Sequence, residues 1–353
     1  MAAGTRVVSE ESSRAVDCER ASDRRALLRS GSLVLAVALG LLAVPAAVEA
    51  QPTTKVRRIG YLSTGHRASG FHEQFLQGLR ALGWIEGQNL AIEFRFAEGQ
   101  FDRLPQLAAE LVELKVDLIV AQPTPAAMAA RNGTRSIPIV MINAGDPVGI
   151  GLVASLARPG GNVTGTAFDV EMATFAKSLE LLKAAIPKAE HVAVLSNPGN
   201  PGQKLAIEGL KVAARSLKLR LLLLEGSGPD DFGRLLAGAS KERVDALLVV
   251  ADSIFIVHRA EIADLALKHR LPTMFGVREN AAAGGLMSYG PSLAYGSRRA
   301  AAFVDKILKG ASPSDLPVEQ PTKFELIVNM KTVGELGLAI PPSMLQRADE
   351  LIR

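Results

Sequence analysis

Apolar positions along this chain switch between two spacings. A short apolar run at 56–62 predicts a strand, and Phe71, Phe75, Leu79 and Leu82 then recur at helical spacing up to Gly83. Residues 90–96 alternate as a second strand. Leu104, Leu107, Ala108, Leu111 and Leu114 form the next helical stripe, followed by a strand at 117–121, a short helix at 125–131 and a strand at 137–142. Strands that alternate with helices in this way predict a parallel sheet covered on both faces.

Residues 145–166 break the pattern, with dense Pro and Gly and little charge. They predict a crossover between lobes containing one short helix. A second series follows, with helices at 175–182, 203–217, 232–239 and 257–269 and strands at 191–195, 220–224, 245–250 and 272–275. Beyond it the pattern predicts a strand at 285–288, a helix at 295–308, a linker at 313–317, a strand at 324–328 and a short helix at 331–336. Two similar sheets in series predict a clamshell with a cleft between its lobes.

The first fifty residues add a location. A basic stretch with Arg24 and Arg25 precedes an apolar run at 32–47, and Val48-Glu49-Ala50 closes it before Gln51-Pro52. Charge, a short apolar centre and small residues in that order predict a secretory signal peptide over 1–50, cleaved after Ala50. The run is short for a membrane span. Arg24-Arg25 also hints at twin-arginine export, although Asp23 precedes the pair. The leader carries equal numbers of basic and acidic residues, so the net charge of +4 is unchanged by its removal. The remaining charges are interspersed and form no basic stripe of the kind a nucleic-acid binder would show. The one cysteine, Cys18, lies in the leader. A chain without thiols suits an oxidising compartment, and none stands at the cleavage point to carry lipid. The expectation is a protein free in the periplasm.

Ligands of open α/β sheets sit beyond the carboxyl ends of the strands. The polar residues there are Ser63, Thr64, Gln122, Thr124, Asn143, Asp146, Ser196, Asn197, Asp252 and Ser253, with Gly276 after them. Each alone reads equally well as a turn former or helix cap. Their recurrence at one end of successive strands favours hydrogen bonding to a small solute, with helix amino termini nearby for a carboxylate. Tyr61, Phe168 and Phe275 are candidates for an apolar wall, or for core. Enzyme motifs are missing. Residues 60–65 (GYLSTG) match no dinucleotide or phosphate loop, and no Gly-x-Ser-x-Gly elbow occurs. The five histidines are scattered without metal-site spacing. His66, nearest the expected cleft, reads as a solvated loop residue. No enzyme, cofactor or metal is therefore expected.

Long ordered blocks carry a resemblance. They are RRIGYLSTG at 57–65, LRALGWIEGQNLAIEFRFAEG at 79–99, LPQLAAELVELKVDLIVA at 104–121 and IPIVMINAGDPVGIGLVASLARPGGNVTG at 137–165. GGLMSYGPSLAYGSRRAAAFVDKILKG at 284–310 and PTKFELIVNMKTVGELGL at 321–338 complete the set. The chain resembles the substrate-binding proteins of ABC transporters, in the group that includes tryptophan and tyrosine transport components. The resemblance implies a bilobal class I periplasmic-binding-protein fold, α/β, with three inter-lobe segments. It implies lobe 1 at 51–145 and 281–312, lobe 2 at 163–275 and 316–353, and crossings at 146–162, 276–280 and 313–315. It implies a membrane permease and a cytoplasmic ATPase as partners, and a monomer. It places ligand loops at Ser63-Thr64, Gln122-Pro123-Thr124, Asp146, Asn197 and Asp252-Ser253. Gln122-Pro123 departs from the Gly-Thr-Pro type of turn often found at that loop, putting a long amide where glycine leaves space. The expected solute is a small zwitterion or carboxylate, led by aromatic or branched amino acids, with sugars as the competitor. Within the fold, the rival function is a sensory receptor that presents a bound solute to a membrane signalling protein. A periplasmic hydrolase lacks its nucleophile and base, and a transcription regulator its DNA-binding helix pair.

Overall fold

Strand β1 (Arg57–Ser63) is apolar on both faces because it lies inside a sheet. Ile59, Tyr61 and Leu62 are fully buried. It pairs in parallel with β2 (Leu90–Phe96) on one side and β3 (Leu118–Gln122) on the other. With β4 (Ile139–Ala144) and β5 (Val163–Ala167) the order is β2-β1-β3-β4-β5, parallel throughout. The helices between them are α1 (Glu73–Ala81), α2 (Leu104–Glu113) and α3 (Thr124–Gly133). The computed structural model describes residues 56–168, 172–200 and 203–353; the expected signal peptide lies outside the described residues.

The second lobe runs through α4 (Met172–Ala185), β6 (His191–Ser196), α5 (Gln203–Ser216), β7 (Arg220–Glu225), α6 (Pro229–Lys241), β8 (Ala246–Val249), α7 (Ser253–Val257) and α8 (Arg259–Lys268). It continues through β9 (Thr273–Phe275), α9 (Arg278–Ala282) and β10 (Met287–Pro291). The chain then returns to lobe 1 as α10 (Leu293–Leu308). It ends in lobe 2 with β11 (Phe324–Asn329), α11 (Met330–Leu336), α12 (Pro342–Leu345) and β12 (Glu350–Ile352). The second sheet has the order β12-β11-β10-β9-β8-β6-β7, in which only the β10–β11 pair is antiparallel.

The period-2 alternation of each buried strand feeds two cores per lobe. In lobe 1, Leu62, Ile119 and Ala121 meet Leu107 and Leu111 of α2 and Ala127 of α3. On the other face Ile59, Tyr61 and Val120 meet Phe75 and Leu79 of α1 and Ala300 and Val304 of α10. Lobe 2 repeats the plan, with Leu182 and Leu210 on one side of the sheet and Phe232 and Ile262 on the other. The α/β doubly covered class is therefore as the alternation implies.

Lobe ownership differs from expectation at four places. Residues 146–162 were expected to cross between lobes with a short helix; instead they form turns, and Leu152 and Val153 sink into the lobe 1 core. Lobe 2 was expected from 163, yet β5 pairs with β4 and belongs to lobe 1. Gly165 makes that pairing feasible. Its φ is +134°, and a Cβ there would stand 2.1 Å from the Met141 carbonyl oxygen. Residues 281–312 were expected in lobe 1, but α9 and β10 lie in lobe 2 and only α10 returns. Residues 313–319 then stay with lobe 1: Thr164 Oγ1 donates to the Leu316 carbonyl at 2.6 Å, Val318 is in that core, and Glu319 bridges to Thr166. The crossings thus fall between β5 and α4, at Ser292, and between Glu319 and β11. Spacing along one element cannot reveal which sheet a strand joins.

Candidate functional site

Register places the strand ends side by side. Ser63 at the end of β1 pairs with Gln122 at the end of β3, and Leu195 of β6 pairs with Val249 of β8. The loops after these strands face each other across a cavity of about 100 Å³. One water needs roughly 10–15 Å³ of such space, so the cavity has room for a small organic solute. Ser63, Thr64, Gln122, Thr124, Asp252 and Ser253 all line it. Asp146 and Asn197, which the resemblance also suggested, do not. Asp146 is exposed and turns its Oδ1 back onto the Gly149 amide at 2.8 Å, closing its own turn. Asn197 sits behind the cavity and supports Asp252.

The lobe 1 face is built of neutral hydrogen-bonding groups. Ser63 Oγ accepts from the Gly65 amide at 3.2 Å, and Thr124 Oγ1 accepts from the Gly145 amide at 2.8 Å. A hydroxyl that has accepted a backbone N–H keeps its own hydrogen for donation. Thr124 also opens α3, whose first amides are left over by the helix pattern. The preceding Gln122–Pro123 bond is cis. Gln122 is buried and takes its bearing from Tyr61, whose hydroxyl donates to Gln122 Oε1. Tyr61, a candidate wall residue in the sequence, is instead wholly buried behind the cavity floor, and Phe275 is core as well.

The lobe 2 face carries charge. Asp252 is buried and caps α7, its Oδ1 accepting from the Ile254 amide at 3.0 Å and from Asn197 Nδ2 at 3.2 Å. Its Oδ2 accepts from Asn200 Nδ2 at 2.7 Å and Gln203 Nε2 at 2.9 Å. Four neutral donors stabilise the carboxylate without cancelling its charge.

Apolar surface completes the cavity: Phe71, Phe168, Ile256, Val257 and Leu293 line it. Of these only Phe168 was marked in the sequence. Phe71 was assigned to the buried stripe of the first helix, but it precedes α1 and is half-buried at the cleft. Asn200 and Asn143 also line the cavity. Asn143 was named as a strand-end residue; Asn200 sits three residues past its loop's candidate, beyond the reach of strand-end reasoning. Contacts span the cleft. The Arg259 guanidinium of α8 lies 5.1 Å from the centre of the Phe71 ring, and a Cβ on Gly99 would meet Val257 at 3.3 Å. His66 is exposed and does not line the cavity. Among the described residues no group of three or more His, Cys, Asp or Glu could hold a metal, and no helix is long and apolar enough to cross a membrane.

The comparisons with known proteins bear on this cleft. Residues 66–352 match the family described as ABC transporter substrate binding protein. A tyrosine-binding protein of Clostridioides difficile is 29% identical over 264 residues, covering 75% of each chain. A Streptococcus pneumonia ABC domain solved in complex with L-Trp superposes with a TM-score of 0.77 at 26% identity, covering 84% of this chain and 99% of that one. A ligand-free, open substrate-binding protein with adhesive properties from Clostridium difficile gives a TM-score of 0.63 at 27% identity, covering 84% and 99%. The chain belongs to the ABC transporter substrate-binding protein family and is the solute-binding component of such a transporter.

Proposed function

We propose that the cleft binds an L-amino acid with an aromatic side chain and delivers it to the membrane permease of the transporter. The observation that carries this is the opposition of the two faces. Asp252, a buried carboxylate with only neutral partners, faces a rim of neutral donors at Ser63, Gln122 and Thr124. An ammonium suits the first and a carboxylate the second. Phe71, Phe168, Ile256 and Leu293 offer a side chain an apolar wall. The tyrosine-binding relative and the L-Trp complex support the aromatic choice.

Binding of this kind needs closure of two lobes rather than a nucleophile, so the chain performs no catalysis. It acts as a monomer outside the cytoplasm, starting at Gln51 after export, and takes no nucleic acid. Intact mass of the exported protein tests the start: a species that keeps the apolar run overturns it.

The solute is tested by thermal shift against amino acids, sugars and short carboxylates. Tryptophan or tyrosine at 100-fold over Kd should stabilise by about 2.7 kcal/mol. Stabilisation by a sugar with silence from every amino acid would overturn the solute and leave the transport role standing.

A further inference from the structure

The lobe 1 floor of the cleft holds one long amide, Gln122, and behind it a phenol with a single task. Tyr61 is enclosed by Phe75, Phe94, Phe96 and His72, with ring centres 5.7, 5.6, 6.1 and 6.2 Å away. Its hydroxyl makes one hydrogen bond, to Gln122 Oε1. Burial pushes the Tyr61 phenol far above its usual range, so it keeps its proton and donates. A primary amide has an accepting end and a donating end. The accepting end of Gln122 is held by Tyr61. Its Nε2 has no partner among the described residues, and the residue lines the cavity.

We infer that Tyr61 is a positioning residue that locks Gln122 with its N–H donors toward the cleft, and that Gln122 thereby selects solutes bearing a carboxylate over the same solutes bearing a carboxamide. The inference rests on the amino-acid reading above and extends it. A carboxylate only accepts hydrogen bonds, and it meets donors at Ser63, Thr124 and Gln122. A carboxamide must turn an N–H toward this rim, leaving donors opposed and unpaired. A site built to pair one group rejects its analogue for that reason. An unpinned glutamine would exchange its two ends and accommodate both solutes. Selection therefore depends on the buried phenol as well as on the amide at the surface.

The test is titration calorimetry of the purified chain with L-tryptophan and L-tryptophanamide. The wild type should bind tryptophan about 100-fold more tightly than its amide. Tyr61→Phe frees the glutamine. Tryptophan should then weaken by about threefold and the amide strengthen by about threefold, so the ratio falls about tenfold, or about 1.4 kcal/mol. A purely structural role for Tyr61 would weaken both solutes alike and leave the ratio unchanged. Gln122→Leu, which removes the donors, should also collapse the ratio, and it carries the test where Tyr61→Phe does not fold. A ratio at the wild-type level in the folded variants, with tryptophan still bound, overturns this inference alone. Silence of the wild type toward both probes and toward tyrosine overturns the amino-acid reading and this inference with it.

Discussion

The two lobes share a plan but meet the cleft differently. Lobe 1 presents Ser63, Gln122 and Thr124, groups whose charge is nil and whose orientation is set by the Gly65 amide, the Tyr61 hydroxyl and the Gly145 amide. Lobe 2 presents a full negative charge on Asp252, held by Asn197, Asn200, Gln203 and the start of α7. A carboxylate buried among neutral donors is costly until a cation reaches it, whereas neutral donors wait at little cost. The lesson is a division of labour. On the proposed function, lobe 2 supplies affinity for a positive group and lobe 1 supplies discrimination among acceptors, so that only a solute with both ends would join the lobes.

The largest break in this comparison is Asp252→Asn. With the carboxylate partner of its ammonium gone, tryptophan should bind about 10²- to 10³-fold more weakly by calorimetry. The free protein should melt at a lower temperature, because asparagine still caps α7 with its oxygen but turns its own N–H donors against those of Asn200 and Gln203. Asp146→Ala, by contrast, should leave affinity unchanged, since that side chain is spent on its own turn at Gly149. Equal losses at both positions would contradict the geometry.

Phe71→Leu should cost about tenfold in tryptophan affinity, through lost stacking surface and the lost seat for Arg259. Arg259→Met isolates the second part. It should weaken binding by about threefold, mainly as faster release in stopped-flow fluorescence, because the bridge from lobe 2 to Phe71 acts once the lobes are closed. An effect confined to the association rate would argue against a bridge across the cleft.

The smallest effect sits away from the cleft. Hydrogen bonds from Arg278 hold the Glu350 carboxyl below its usual range, tying α9 to the edge strand β12. A lowered folded pKa makes this contribution full above the ordinary glutamate range and lost as pH falls through the folded value. Both side chains are about 40% exposed (43% and 39%), so the pair is worth below about 1 kcal/mol. Glu350→Gln should lower stability slightly at neutral pH and converge with wild type only as acid protonates the Glu350 carboxyl, read by urea denaturation across the acidic range. An unchanged gap at low pH would show that something other than the ion pair is at stake.

What the sequence by itself determined is local. Spacing located β1, β2, β3 and β6 to within a residue or so, because a buried strand or an amphipathic helix imposes its period on its own residues. It also brought Ser63, Thr64, Gln122, Thr124, Asp252 and Ser253 to the same end of their strands, since a parallel sheet aligns those ends. The tertiary structure decided the rest. Val163–Ala167 reads as linker because Gly and Pro surround it, and only its fit against Met141 makes it a lobe 1 strand. Phe71 and Asn200 reach the cavity because the opposite lobe closes over them, and loop residues carry no period to announce that. Asp146 and Asp252 are both aspartates in loops after strands. One folds onto its own backbone and the other gathers donors from three residues far along the chain, a difference set by what packs around each side chain.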